Sequence, residues 1–270
     1  RAAPVGPDGR HDAVDPMRIA RRHPGWTLGA AALVGAALLA WVLVSGGENG
    51  RAGCAAALAP AYVGPELLRR FVTSRDAPDI VVMNPANGPG RRRDAWAAAV
   101  DAAHHSGARV LGYVHTGYGT RPPDEALADA RRYRSWYGAD GVFLDEVSPS
   151  VELLPHYRRL ADGARAAGLD LIALNPGVVP ARGYFGIADV VVTYEGPYVG
   201  YEAALAAQPG WVRDLPSGAT AHLIYAATRD QAREAVAARA GARVYATPGR
   251  MPNPWATLPG HDWSLTGGCR

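Results

Sequence analysis

Eight short apolar runs recur along the chain from residue 56 onward, and this repetition limits the possible folds more than any other feature. Each run ends in glycine, proline, asparagine or an acid, and a longer stretch rich in alanine and arginine follows. The runs are residues 56–63, 79–85, 109–116, 140–146, 169–176, 189–195, 220–226 and 243–248. The helix-like stretches include residues 93–107, 123–138, 151–168 and 228–241. Alternating strands and helices predict a parallel sheet.

The number of repeats favours one arrangement of that sheet. Eight strand–helix repeats in the 217 residues from Cys54 onward fit a (β/α)8 TIM barrel, for which about 250 residues is typical and about 200 is the lower end. An open doubly wound sheet is the alternative, but no GxGxxG motif follows the first run. Barrel strands are buried on both faces, which explains why the runs are continuously apolar. We therefore predict an α/β fold with a TIM barrel.

An uncharged segment at residues 26–45 precedes the barrel. It is long enough to cross a hydrocarbon core of about 30 Å as a helix. Three arginines, Arg18, Arg21 and Arg22, lie just before it. Because positive residues tend to stay on the cytoplasmic side, they predict a cytoplasmic N-terminus and an exported remainder. We predict one N-terminal transmembrane helix that acts as a signal anchor.

Two other interpretations of this segment stay open. A cleaved signal peptide would have a shorter apolar core of about 7–15 residues and would give a secreted protein. A buried core helix would need a polar face toward water, which residues 26–45 lack. With the anchor, the predicted organisation is a cytoplasmic tail at 1–25, a flexible linker at 46–53 and the barrel domain at 54–270.

The charge of the exported part argues against a nucleic-acid partner. The whole chain has a net charge of +3, and residues 1–53 hold six arginines and four acids, so the remainder carries only +1. Nucleic-acid binders show a basic patch, and a nearly neutral domain does not predict one. We expect a monomer that contacts the membrane only through its N-terminal helix.

The chain has two cysteines, Cys54 and Cys269, one at each end of the exported part. Outside the cytoplasm they could form a disulfide that ties the termini together, and two free thiols are the alternative. Neither a CxxC motif nor a histidine cluster accompanies them, so we expect no metal site there.

Polar residues at the ends of the apolar runs form the candidate site, because barrel enzymes place their catalytic groups at the carboxyl ends of the strands. The candidates are Asn84, Tyr113, His115, Asp145, Glu146, Asn175, Tyr194, Glu195 and Tyr225. The chain contains no lysine, which excludes a Schiff base, and no GxSxG motif. A metal-dependent hydrolase would need more histidines than His115 and His222 near the strands.

Amides and tyrosines around carboxylates are typical of a sugar-binding cleft. Glycoside hydrolysis needs one protonated and one ionised carboxyl group. Asp145 and Glu195 lie 50 residues apart on the predicted fourth and sixth strands, near enough around the rim to reach one glycosidic bond. Asp145 and Glu146 cannot share the same role, because the side chains of successive strand residues point to opposite sides.

Structural roles remain possible for several of these residues. Strand-end acids can cap a helix or pair with an arginine. His115 fits either a core histidine or a substrate contact. Asn84 and Asn175 both precede proline, where asparagine often only shapes a turn.

Five stretches resemble the spherulin-4-like family of (β/α)8 barrels. They occur in order at consecutive strand ends, and the resemblance covers residues 56–250. The stretches are NPANGPG (84–90), GYVHTGYGTR (112–121), YRSWYGADGVFLDE (133–146), LNPG (174–177) and TYEGPY (193–198). Characterised members are endo-acting glycoside hydrolases that cut α-1,4-linked galactosamine or N-acetylgalactosamine polymers in microbial exopolysaccharides.

The resemblance implies Asp145 as nucleophile and Glu195 as general acid/base in a retaining mechanism that needs no cofactor. Glu146 would orient a sugar or tune its neighbour. The substrate contacts would be Asn84, Tyr113, His115, Tyr118, Asn175, Tyr194 and Tyr225. A non-catalytic carbohydrate-binding barrel at the cell surface is the alternative function.

Overall fold

Eight parallel strands, paired in chain order, form the centre of the fold. A computed structural model describes residues 57–75, 77–239 and 241–259. Within them all eight predicted strands are present, which confirms the expected barrel topology. The strands are β1 (Leu58–Ala61), β2 (Ile80–Met83), β3 (Arg109–His115), β4 (Gly141–Asp145), β5 (Leu171–Leu174), β6 (Val190–Pro197), β7 (Thr220–Tyr225) and β8 (Arg243–Ala246). Only β6 extends beyond its predicted apolar run.

Helices connect most of the strands. They are α1 (Pro65–Val72), α2 (Asp94–His105), α3 (Pro123–Arg132), α4 (Leu154–Ala166), α5 (Tyr201–Ala206) and α6 (Arg229–Ala238). Four of them lie inside the four predicted helical stretches, and α3 continues as a π-helical turn at Tyr133–Tyr137. Helix α6 begins at a capping box, in which Thr228 and Gln231 each bond the other's backbone N–H.

Two connections depart from a regular strand–helix repeat. Between β5 and β6 the described chain forms only a 3-10 turn at Arg182–Gly186. This connection carries Pro176, Pro180 and three glycines, which disfavour a helix. After β8 a 3-10 turn at Pro254–Ala256 takes the place of a helix within the described residues.

Close packing of a helical turn on a strand fixes the wall of the barrel at β3. Tyr133 is fully buried, and its ring lies against Gly112. A Cβ atom at residue 112 would lie 2.2 Å from that ring, so only glycine fits. The contact holds the turn that follows α3 against β3 and thereby fixes the strand that leads to His115.

The first and last strands lie side by side, and contacts at both ends bridge the seam between them. At the amino end the carboxylate of Asp79 accepts the Ala57 N–H at 2.6 Å and pairs with Arg243. At the carboxyl end the Tyr62 N–H donates to the Trp255 carbonyl oxygen at 3.1 Å. The segment after β8 thus reaches back to the end of β1.

Several predictions concern residues outside the described ranges. The tail at 1–25, the transmembrane segment at 26–45, the linker at 46–53 and the Cys54–Cys269 pair all lie there and stay predictions. Within the described ranges, no helix is both long and apolar enough to cross a membrane.

Candidate active site

Three neighbouring strands bring the two predicted catalytic acids together. Asp145 is the last residue of β4, Asn175 follows β5, and Glu195 lies near the end of β6. The Asn175 N–H bonds the Leu144 carbonyl oxygen at 2.8 Å, which continues the β4–β5 ladder. Since β5 lies between β4 and β6, the parallel register places Asn175 between the two acids.

The amide group of Asn175 connects the two carboxylates. Its Nδ2 donates to Asp145 Oδ1 at 2.7 Å and to Glu195 Oε2 at 2.5 Å. Because both oxygens contact one nitrogen, they are at most 5.2 Å apart, the sum of these two distances. The two carboxyl groups therefore face one small space at the mouth of the barrel.

Burial raises the pKa of both acids. Burial and the nearby charge of Asp145 raise the pKa of Glu195 to about 7. Burial also raises the pKa of Asp145, but hydrogen bonds from Tyr113, the Glu146 backbone and Asn175 oppose that rise. Such bonds stabilise the ionised form. Because the charge of Asp145 is one of the causes that raise the pKa of Glu195, Asp145 ionises first and Glu195 keeps its proton to a higher pH.

Two tyrosines lie beside Asp145. Tyr113 is 4% exposed, and its hydroxyl hydrogen-bonds the Asp145 side chain. The Tyr62 ring meets the Tyr113 ring edge-on, with centroids 5.4 Å apart. Burial and the charge of Asp145 raise the pKa of both tyrosines, so both hydroxyls keep their protons. Tyr113 was predicted to contact the substrate, and in the structure it bonds Asp145, the candidate nucleophile.

Through its side chain Glu146 bonds the loop after β3 and not Asn175. Its backbone is left-handed, with φ 54°, and its Oε2 accepts the Gly117 N–H at 3.1 Å. Its carbonyl oxygen accepts the Tyr118 N–H at 2.7 Å. The buried Thr116 hydroxyl lies 2.9 and 2.8 Å from the carbonyl oxygens of Asp145 and Glu146. Glu146 therefore fastens the loop after β3 to the end of β4.

The remaining predicted contacts are spread around the rim. Asn84 Oδ1 accepts the Gly88 N–H at 2.9 Å and shapes the turn after β2. The Tyr194 hydroxyl donates to the Pro197 carbonyl oxygen at 2.6 Å, so it stabilises its own strand end. His115 is half-buried and pairs in register with Asp145. Tyr118 is 63% exposed, and the Tyr225 ring lies 6.2 Å from that of Trp255.

Trp255 is a site residue that sequence reasoning missed. Its indole Nε1–H donates to Glu195 Oε1 at 3.3 Å. It lies nine residues after the end of β8, so a survey of strand ends does not reach it. The signal available in the sequence was a tryptophan inside the proline-rich stretch MPNPW.

A metal centre finds no support in the part of the chain that the structure describes. No group of three His, Cys, Asp or Glu side chains there is arranged to hold a metal ion. The hydrogen-bond partners of the two acids are amide, indole and phenol groups. The arrangement can instead hold one proton and one negative charge on two facing carboxyl groups.

Comparisons with known proteins identify the family and agree with the barrel fold. The model of the spherulation-specific family 4 matches residues 58–265. Spherulin-4 of Physarum polycephalum is 31% identical over 142 residues, which span 51% of this chain and 42% of that protein. The crystal structure of Aspergillus clavatus Sph3 in complex with GalNAc has the same fold, with a TM-score of 0.67 and 22% identity over 81% of this chain and 98% of that one. The chain therefore belongs to the spherulation-specific family 4, the family that its strand-end motifs resemble.

Proposed function

We propose that this protein is an endo-acting glycoside hydrolase that cleaves α-1,4-linked galactosamine or N-acetylgalactosamine polymers with retention of configuration. One observation carries the proposal. The shared contact with Asn175 keeps an Asp145 oxygen and a Glu195 oxygen within 5.2 Å of each other. Retaining glycosidases have their carboxyl groups about 5–5.5 Å apart, whereas inverting ones leave about 6.5–9.5 Å for a water molecule.

The first half of the reaction uses the two acids in opposite states. Asp145 attacks the anomeric carbon, while the bond from that carbon to the leaving oxygen breaks. Glu195 gives its proton to that oxygen, which leaves as a sugar hydroxyl. A glycosyl ester of Asp145 and an ionised Glu195 remain.

The second half restores the enzyme. Glu195 takes a proton from water, the resulting hydroxide oxygen bonds to the anomeric carbon, and the ester bond to Asp145 breaks. Esterification removes the charge of Asp145, which is one of the causes that raise the pKa of Glu195. The pKa of Glu195 therefore falls in the intermediate, when the group must act as a base.

The rim of the barrel suits a polymer. Five exposed large apolar side chains lie in the loops that follow β3, β4, β5, β6 and β8. They are Tyr118, Val151, Val178, Val199 and Met251. These exposed apolar side chains give a chain of sugars surfaces to contact beyond the scissile bond, and Tyr118 offers a ring on which a pyranose can pack. The GalNAc in the Sph3 structure supports this class of sugar.

The proposed location follows from the sequence. If residues 26–45 anchor the chain, the barrel acts outside the cytoplasm, where exopolysaccharides are found. We propose a monomer with a polysaccharide as its partner.

The deciding experiment measures product stereochemistry. Purified protein is incubated with α-1,4-linked galactosamine and N-acetylgalactosamine polymers, and new reducing ends are followed by proton NMR. Retention predicts that α-anomers appear first and then mutarotate. Initial β-anomers would contradict the retaining assignment. Tight binding without new reducing ends would instead support a non-catalytic carbohydrate-binding protein.

A further inference from the structure

The chain after β8 folds back across the mouth of the barrel. We call residues 247–257 the seam loop. The Ala226 N–H donates to the Gly249 carbonyl oxygen at 2.8 Å, and the Tyr62 N–H donates to the Trp255 carbonyl oxygen at 3.1 Å. A Cβ atom at residue 249 would lie 2.0 Å from the Pro254 carbonyl oxygen, so the loop closes tightly on itself. The seam loop is thus tied to the ends of β1 and β7.

The seam loop places Trp255 beside Glu195. Trp255 is 5% exposed. Its ring packs against those of Tyr225 and Tyr245, at centroid distances of 6.2 and 6.0 Å. With its carbonyl oxygen bonded to β1 and its ring packed on β7 and β8, the indole has little freedom to move. Its N–H points at Glu195 Oε1, 3.3 Å away.

We propose that Trp255 is a positioning residue for Glu195, which fixes one carboxyl oxygen while Asn175 fixes the other. The catalytic consequence rests on the proposed function, because Glu195 acts as the acid only in that reaction. The contacts themselves are independent of any substrate. Trp255 donates to Oε1 and Asn175 donates to Oε2, so each oxygen of the carboxyl group has one hydrogen-bond donor that fixes its position.

The chemistry of the two partners determines where the proton can point. An indole N–H and an amide NH2 are donors only and cannot accept a hydrogen bond. The hydroxyl of protonated Glu195 therefore finds no acceptor in either partner. Its proton is free to point into the space that Glu195 shares with Asp145, where the leaving oxygen of a bound sugar would lie. A glutamate held by an acceptor would instead direct its proton into the protein.

The two donors also favour the ionised form of Glu195 and so oppose the effect of burial. Burial and the charge of Asp145 raise the pKa of Glu195, while the bonds from Asn175 and Trp255 lower it. Without the Trp255 bond the pKa of Glu195 should be higher. The alkaline limb of the activity profile should move with it.

The test compares Trp255→Phe with the wild type. Phenylalanine keeps an aromatic ring in the pocket and removes the N–H. Carbon-13 NMR of protein labelled at the glutamate carboxyl groups measures the pKa of Glu195, with the signal assigned by its loss in Glu195→Gln. We expect W255F to raise this pKa by roughly 0.5–1 unit. An unchanged pKa would overturn the proposal.

Tyr245→Phe is the matched control. The Tyr245 hydroxyl is buried and has no hydrogen-bond partner in the structure, while its ring packs on Trp255. Y245F therefore perturbs the same packing without removing a donor to Glu195. We expect it to leave the pKa of Glu195 within about 0.2 units of the wild type. An equal shift in both variants would mean that packing, not the N–H, acts on Glu195, and the proposal would be wrong.

A second measurement needs no variant at Trp255. In nitrogen-15 spectra of the wild type, the Trp255 indole resonance should titrate with the pKa of Glu195, and this titration should vanish in Glu195→Gln. A pH-independent indole resonance would also overturn the proposal. Both readouts proceed without a sugar, so a failure of the hydrolysis assay and a failure of this proposal are distinguishable.

Discussion

Asp145 and Glu195 accept hydrogen bonds from one shared nitrogen atom, Nδ2 of Asn175, at 2.7 and 2.5 Å. An amide nitrogen has two hydrogens, and this contact uses both. Asn175 Oδ1 accepts the Gly177 N–H at 3.1 Å, and the residue is 5% exposed. Asn175 therefore has little capacity left for a substrate, and we expect it to position the two acids.

Replacing Asn175 tests this positioning role. Asn175→Leu keeps a similar volume but removes both donors, so the two carboxylates lose their common support. We expect kcat to fall roughly 100-fold, as is typical when reacting groups are misplaced by about 1 Å. Loss of a donor to each ionised form raises the pKa of Asp145 and of Glu195, so both limbs of the pH profile move upward. An activity within threefold of the wild type would contradict the assignment.

Variants of the two acids separate their roles. Asp145→Ala should abolish turnover of every substrate, because no nucleophile remains. Glu195→Ala should lower turnover of the polymer by roughly 10²–10⁴-fold. E195A should still form the glycosyl ester from an aryl glycoside whose leaving group needs no proton. Azide should then rescue E195A and yield an α-glycosyl azide.

The reverse pattern, with an α-glycosyl azide from Asp145→Ala and a β-glycosyl azide from Glu195→Ala, would show that the two roles are exchanged. Circular dichroism and thermal unfolding of both variants provide the control for folding.

The pKa of Glu195 also links activity to stability. Its value in the unfolded chain is near 4.5, and burial and the charge of Asp145 raise it to about 7 in the folded protein. A raised pKa stabilises the fold fully below pH 4.5, and this contribution is lost as the pH rises through about 7. Glu195→Gln lacks this titration.

We therefore expect the free energy of unfolding of the wild type to fall relative to that of E195Q between these pH values. The relative change should be about 3 kcal/mol at most. Urea unfolding at pH 4 and pH 8 measures it. Over the same range kcat/KM of the wild type should fall above pH 7, because Glu195 loses its proton. Parallel pH dependences of unfolding in both proteins would contradict the raised pKa.

A conservative substitution tests whether Glu146 takes part in the reaction. Its negative charge contributes to the raised pKa of Asp145, after burial, which is the main cause. Glu146→Gln removes the charge but keeps an oxygen that can accept the Gly117 N–H. We expect activity within about tenfold of the wild type and an acidic limb that moves to lower pH. A loss as large as that of Asp145→Ala would place Glu146 in the reaction itself.

The acids could be predicted from the sequence because their placement depends on local patterns. Asp145 and Glu195 each end an apolar run, and parallel pairing brings such ends to one edge of a barrel. The contacts around them depend on features that no local pattern contains. Asn175 bridges the acids because its side chain turns inward between β4 and β6. Trp255 reaches Glu195 through a loop that folds back across the seam.

The hydrogen bond from Tyr113 to Asp145 yields the final prediction. Tyr113 was expected to contact the substrate, but its buried hydroxyl bonds the Asp145 side chain. Tyr113→Phe keeps the ring and its edge contact with Tyr62. Burial already raises the pKa of Asp145, and loss of this donor raises it further, so the acidic limb of kcat should move upward. We expect kcat to fall roughly tenfold with little change in KM, as for the loss of one hydrogen bond to a charged group.

The measurement compares the pH profiles of kcat for Y113F and the wild type. Y245F is the control, because Tyr245 makes no contact with Asp145 among those described. A rise in KM at unchanged kcat and an unmoved acidic limb would return Tyr113 to the role of a substrate contact.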